Sequence, residues 1–293
     1  MATGHAFVLN LDADLELAVG PGYAPKRSVL EAMRPHVERL SRALLGPSDV
    51  LVGDGTPTRG LVGLPGRAFC PTPRALATLV RTGAVPEPHP SFDVLRRVNS
   101  RAFASALGTT LPGAELVRSL DEASAKLASD PGLGAAWRVK RLYGMTGRGQ
   151  RRLRPGAVVE GDLAFLRAGL AEGGLQIEPD VPLDTEYAIH GVLSFTGELA
   201  LGSPVTQRCD ARGAWLATER IEDEGAHGGV LRELREEAGR VAGALMVAGY
   251  HGPFGIDAFT YRDRAGRRRF QPRSEINARY SMGFCVGFLG RPI

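Results

Sequence analysis

The chain has 293 residues, a formal net charge of +4 and 3 cysteines. That length allows two or three lobes with a cleft between them and does not require disulfides for stability. Cys70, Cys209 and Cys285 are odd in number and outside any C-x-x-C spacing, which argues against a disulfide framework and structural zinc and for a reducing, cytoplasmic setting. The positive charge is mostly arginine, with lysine only at Lys26, Lys126 and Lys140. It is scattered rather than gathered in a stripe, so no nucleic acid partner is expected.

The opening MATGHAFVLNLDADLELA places acidic residues straight after a short apolar run, unlike a secretory signal. No later stretch approaches the roughly 20 apolar residues of a membrane span, so a soluble protein with no membrane partner is expected. Ala6 to Leu11 reads as a buried strand, followed by a Gly-Pro turn and a helix from near Pro25, with a kink or break at Pro35. Asp49 to Gly53 gives a second strand, and strand–helix–strand in this order suggests an α/β lobe over 1–90. The rest, 91–293, reads as a second unit. It opens with a helix over Phe92 to Leu107, followed by a β-rich central lobe at about 130–200 that takes in strands Glu186–Phe195 and Glu198–Leu201. A helix from Val230 to Ala248 and strands Phe254–Tyr261 and Phe270–Ala278 complete it.

Chemistry concentrates in that last hairpin. Residues two apart on a strand share a face, so Glu275, Asn277 and Arg279 should line one row, and the neighbouring strand can bring Asp257 beside them. Two carboxylates and an amide oxygen are hard ligands suited to Mg²⁺ (or Mn²⁺) held jointly with phosphate oxygens. The plainer alternative is a surface Glu275–Arg279 ion pair worth ~0–1 kcal/mol. Upstream, Trp137-Arg138-Val139-Lys140 runs into the Gly-rich loop Gly144 to Gly149. A lysine at a strand end can reach phosphate oxygens, and Gly144, Gly147 and Gly149 would let backbone N–H groups approach them, although such hairpin loops are common. Glu178 and Glu186, taken alone, read as turn and strand-edge carboxylates. The 6 histidines form no ligand-spaced pair, and His190 reads as a satisfied strand histidine.

In this order the elements resemble the ATP-grasp superfamily, over roughly Arg101 to Arg279. The resemblance implies an α+β / α/β protein: an N-terminal α/β lobe followed by two α+β lobes clasping ATP. It assigns Asp257, Glu275 and Asn277 to metal, and Arg279 to phosphate or an acyl-phosphate. It assigns Lys140 and Arg101 to phosphates, Glu178 and the Val181 backbone to adenine, and Glu186 to ribose. Arg101 stands where the family usually has a lysine. Gly255 stands where one branch of the family, the D-alanine–D-alanine ligases, carries an arginine, and Arg208 is either a substitute for that charge or a solvated side chain.

The implied reaction is ATP-dependent formation of an acyl-phosphate from a small-molecule or peptide carboxylate, then its transfer to an amine (or thiol) with release of ADP and phosphate. A small-molecule kinase and a non-catalytic nucleotide-binding module are the alternatives. The stretch Asp12 to Tyr23 is a candidate, acidic and Gly-rich, for part of the acceptor pocket. A homodimer is expected only from the base rate for enzymes of this size.

Overall fold

The computed structural model describes residues 4–57, 60–144, 149–156, 158–210 and 213–291. Three sheets organise the chain. The first lobe runs β1 (Ala6–Val8), α1 (Ala13–Val19), α2 (Arg27–Leu44), β2 (Val50–Leu51), β3 (Pro65–Ala68), α3 (Pro73–Arg81) and β4 (Val85–Pro86), with a parallel sheet ordered β2-β1-β3-β4. The apolar run Ala6-Phe7-Val8 is buried throughout, as a central parallel strand should be. α2 continues through Pro35. The carbonyl that Pro35 cannot pair with belongs to exposed Glu31, where water can satisfy it. α1 occupies part of the acidic stretch Asp12 to Tyr23.

Two short helices follow where one was expected, α4 (Phe92–Asn99) and α5 (Arg101–Ala106). Ser100 is extended (φ −77, ψ 139) and its hydroxyl accepts from the Ala102 N–H, capping α5. This break turns Arg101 inward. The second sheet, β5 (Glu115–Val117), β6 (Trp137–Arg141), β7 (Gln150–Leu153) and β8 (Leu175–Pro179), is antiparallel in the order β5-β8-β6-β7. α6 (Leu120–Ala128) and α7 (Glu160–Ala171) cover it, and Leu127 and Leu166 pack on Trp137, Val139 and Ile177. A Ser119–Glu122 capping box starts α6.

The third sheet holds β9 (Leu183–Leu193), β10 (Leu199–Leu201), β11 (Val205–Cys209), β12 (Trp215–Arg220), β13 (Gly252–Arg262) and β14 (Arg268–Asn277). Its order is β12-β11-β9-β13-β14, with β10 on β9. The strands expected at Glu186–Phe195 and Glu198–Leu201 therefore lie in this sheet and not in the central one. β9 pairs with β13 over ten residues, and both its faces are covered, one by α8 (Gly228–Val247) and one by α9 (Phe284–Gly287). Leu231, Leu234, Ala238, Val241 and Leu245 form the apolar stripe of α8 against Tyr187, Ile189, Phe254 and Ile256, each large side chain contributing about 1.5–3 kcal/mol. Among the described residues no helix is long and apolar enough to cross a membrane.

His190 lies in β9 at 1% exposure. Three glycines make room for its ring: a Cβ at Gly255, Gly283 or Gly287 would stand 3.0, 2.9 and 2.7 Å from it. Its Nδ1 has no partner among the described residues, so it is not the fully satisfied histidine expected. Burial pushes its pKa from 6.5 down to about 4. A depressed histidine stabilises the fold above the unfolded pKa, and that contribution drains away as pH falls from 6.5 to about 4. The expected result is a loss of about 2–3 kcal/mol across this window, read from urea midpoints at neutral and acid pH. An unchanged midpoint would show the ring is not charging on unfolding.

Candidate active site

A cleft of about 1070 Å³ opens between the second and third sheets, with α1, α2 and the loops after β1 and β3 of the first lobe closing one end. That is ample for a nucleotide and a second small molecule. Its floor is the β13–β14 hairpin, where Asp257 and Glu275 stand directly opposite each other. The register shifts between Asp257 and Phe259 because β14 carries two extra residues between Gln271 and Glu275, while β13 stays in register with β9 through Asp257. Asn277 Nδ2 donates to Asp257 Oδ2 at 2.9 Å and Gln207 Nε2 to Oδ1 at 2.8 Å. Burial, and then the Glu275 carboxylate, pushes Asp257 up to about 6 against the pull of these two amides. Arg101 Nη2 donates to Glu275 Oε1 at 2.8 Å and its Nη1 to the Arg141 carbonyl at 2.8 Å.

Arg279 does not extend the Glu275–Asn277 row. β14 ends at Asn277, and the Arg279 N–H turns back to the Asn277 carbonyl at 2.9 Å, a three-residue turn that swings the side chain towards the first lobe. There Nε and Nη2 donate to the two oxygens of Asp14 at 3.1 and 2.7 Å. The guanidinium carbon lies 5.4 Å from the centre of the Phe69 ring, and the Tyr280 N–H donates to the Phe69 carbonyl at 3.1 Å. The site is thereby stitched to the N-terminal lobe.

On the opposite wall Lys140 Nζ meets Glu178 Oε1 at 2.6 Å, while Gln176 Nε2 donates to Glu178 Oε2 at 2.7 Å. Glu178 is thus bound to the lysine and not held out at a strand end. Val181 packs with Leu111, Leu133 and Phe259 into a small apolar cluster facing the cleft. Glu186 lines the cleft from β9, and its charge adds to the upward push on Asp257. Burial raises the Glu186 pKa, partly offset by hydrogen bonds involving Cys209. Gly144 lines the cleft and Gly149 closes the loop base at φ +83, accepting from the Arg141 N–H at 2.8 Å. Gly147 lies outside the described residues. Arg208 pairs with Glu219 and is 70% exposed, so it is the solvated alternative and replaces no missing charge.

The structure therefore gathers Lys140, Gly144, Glu178, Val181, Glu186, Asp257, Glu275, Asn277, Arg101 and Arg279 around one cleft. Two partners were not foreseen. Gln207 carries no signal beyond its place between Val205 and Cys209 on an alternating strand, and Asp14 was visible only as part of an acidic stretch. Among the described residues no three His, Cys, Asp or Glu side chains cluster tightly enough to cage an ion. A two-carboxylate set needs further oxygens from a ligand.

A parallel lobe followed by two antiparallel sheets that face each other across a ligand-sized cleft is the ATP-grasp fold. No family model and no curated protein matches the sequence. Solved structures match the fold. N5-carboxyaminoimidazole ribonucleotide synthetase from Thermus thermophilus aligns at 20% identity and TM-score 0.52, over 94% of this chain and 71% of that one. A biotin carboxylase–β,γ-ATP complex from Campylobacter jejuni aligns at 14% and 0.57, over 96% of this chain and 66% of that one. Carboxyaminoimidazole ribonucleotide synthase from Aspergillus clavatus, complexed with ATP, aligns at 15% and 0.52, over 96% and 72%.

Proposed function

We propose that the protein is an ADP-forming ligase: it binds Mg-ATP, forms an acyl-phosphate from a carboxylate substrate and passes the acyl group to an amine. The observation that carries this reading is the opposition of Asp257 and Glu275 in one cleft with Lys140, Arg101 and Arg279. Similarity to a carboxylase and a synthase named as ATP complexes supports it.

The floor fits a hard divalent cation. Asp257 is driven towards its neutral form by burial and by Glu275, which is the strain a bound cation relieves. Asp257, Glu275 and the Asn277 amide oxygen would hold Mg²⁺, which supplies charge neutralisation on the phosphates. The chain's own cations are already neutralised by carboxylates: Lys140 by Glu178, Arg101 by Glu275 and Arg279 by Asp14. Phosphate oxygens entering the cleft would compete for their N–H groups, so the site trades one anion for another without burying a bare charge. A substrate carboxylate oxygen attacks the γ-phosphorus and ADP departs with the bond's electron pair. The amine then attacks the acyl carbon and inorganic phosphate leaves.

ADP release by the purified protein, over pooled carboxylic acids with and without amines, tests this reading. The expected result is ADP formation that requires both a carboxylate and an amine. In Lys140→Met, which also leaves Glu178 without its cation, nucleotide affinity should fall about 10–100-fold. ADP formed with a hydroxylated acceptor alone would make the protein a kinase. Unchanged nucleotide affinity in Lys140→Met would remove that residue from the phosphate site.

A further inference from the structure

Charge is distributed unevenly along the cleft. Among the described residues lining it, Arg101, Arg138, Lys140, Arg152, Arg262 and Arg264 all come from α5, the β6–β7 hairpin or the far end of β13 and the turn after it. The end bounded by the first lobe has a different character. There Leu11, Met33, Phe69 and Met282 belong to one continuous apolar cluster. His36 lies one helical turn after Met33 on α2, and its ring meets Trp215 edge-on at 6.4 Å between centres. Arg39 lies 4.8 Å over the same indole and donates to the Leu216 carbonyl. The β11–β12 hairpin is thereby drawn onto α2, and Trp215 becomes the side wall of this chamber.

The guanidinium in this chamber is that of Arg279, and Asp14 already balances its charge. Three of its five N–H groups are engaged, two on Asp14 and one on the Tyr280 carbonyl. Two remain for a ligand. A phosphate or second carboxylate carried on the body of the acceptor would find no other lysine or arginine among the described lining residues at this end, and its desolvation would go uncompensated. A single carboxylate on an apolar body matches both features: the carboxylate meets the spare Arg279 N–H groups beside the phosphoryl site, and the body packs on thioether and aromatic surface.

We infer that the carboxylate substrate is a monocarboxylic acid with an apolar or aromatic body, seated between α2, Phe69, Met282 and Trp215 with its carboxylate at Arg279. This rests on the function proposed above and names the substrate class for that site.

The test is calorimetric titration of the full chain with Mg²⁺ and the non-hydrolysable AMP-PNP, followed by 3-phenylpropionate or 3-phosphoglycerate. 3-Phenylpropionate should bind at least about tenfold more tightly than 3-phosphoglycerate. Its affinity should fall about tenfold or more in Met33→Asp and in Trp215→Ala, with melting curves of both variants recorded to show that they fold. Equal or tighter binding of 3-phosphoglycerate, no binding of 3-phenylpropionate, or parent-like binding by folded Trp215→Ala would each overturn the inference. Failure of the ligase reading would appear separately, as an absence of AMP-PNP binding in the first titration or of amine-dependent ADP release in the assay above.

Discussion

Asp257→Asn is expected to lower ADP release by about three orders of magnitude while making the ligand-free protein more stable. The two effects have one cause. In the free protein the Asp257 carboxylate is crowded by protein atoms and faces Glu275, and its pKa rises from 3.8 to about 6. A raised carboxyl pKa means the folded state binds the proton more tightly than the unfolded state does. Its contribution to stability is full below 3.8 and is lost as pH rises through about 6. Above that the ionised group is a net cost. Because the carboxylate opens onto the cleft, solvent screening holds that cost to about 1–2 kcal/mol. Asparagine carries no charge and pays none of it, and Gln207 or Asn277 can each rotate its amide to suit the new partner. The variant should therefore have a higher urea midpoint than the parent near pH 8, with the gap closing near pH 4. Added Mg²⁺ and nucleotide should stabilise the parent more than the variant. A variant that is less stable at pH 8, or that keeps parent-like turnover, would contradict the assignment of Asp257 to the cation site.

The parts of this site that could be read from sequence are those fixed by neighbours along the chain. Asp257 and Glu275 lie on two strands joined by a short polar turn, so local alternation was enough to place them face to face. Lys140 and Gly144 were placed at the cleft for the same reason. Arg279 was placed on the right side of the molecule but in the wrong row, because nothing local announces that β14 stops at Asn277. What ends the strand is the docking of Tyr280 on the Phe69 carbonyl, a contact between opposite ends of the chain. β9 was assigned to the central lobe for a similar reason. Its partner β13 lies far along the sequence, beyond β11, β12 and α8, and strand alternation says nothing about which sheet a strand joins. α1 was passed over although an acidic first turn and a following glycine are helix signals, because a run of 7 residues gives little periodicity to read. Its buried carboxylates are tolerable because the Arg74 backbone N–H donates to Glu16 at 2.9 Å and Arg279 holds Asp14, while the Arg74 side chain donates to both oxygens of Asp12, just before the helix, at 2.5 and 2.6 Å. Pairings of that kind cannot be inferred from one partner alone.

The Asp14–Arg279 pair gives the second large effect, and it separates stability from chemistry. Both side chains are 11% exposed and the contact is bidentate. Asp14→Ala leaves a guanidinium without a counter-ion in the wall of the cleft, and the expected cost is about 3–5 kcal/mol. Removing both charges with Asp14→Leu and Arg279→Met should restore most of that, since a buried pair exchanged for apolar side chains of similar volume is often nearly neutral. If Arg279 also serves the phosphoryl group, the repaired double variant should stay inactive, with turnover down by about 10²–10³. Arg279→Lys should sit close to it in turnover, because a lysine cannot present a planar fork to Asp14 and a ligand together. Urea midpoints and ADP release on the three proteins decide the matter. Recovery of activity along with stability in the double variant would make Arg279 an anchor between lobes and nothing more. Recovery of stability alone would mean that the contact tying the first lobe to the hairpin also delivers a cation to the reacting phosphate, so that docking of the N-terminal lobe and assembly of the site are one event.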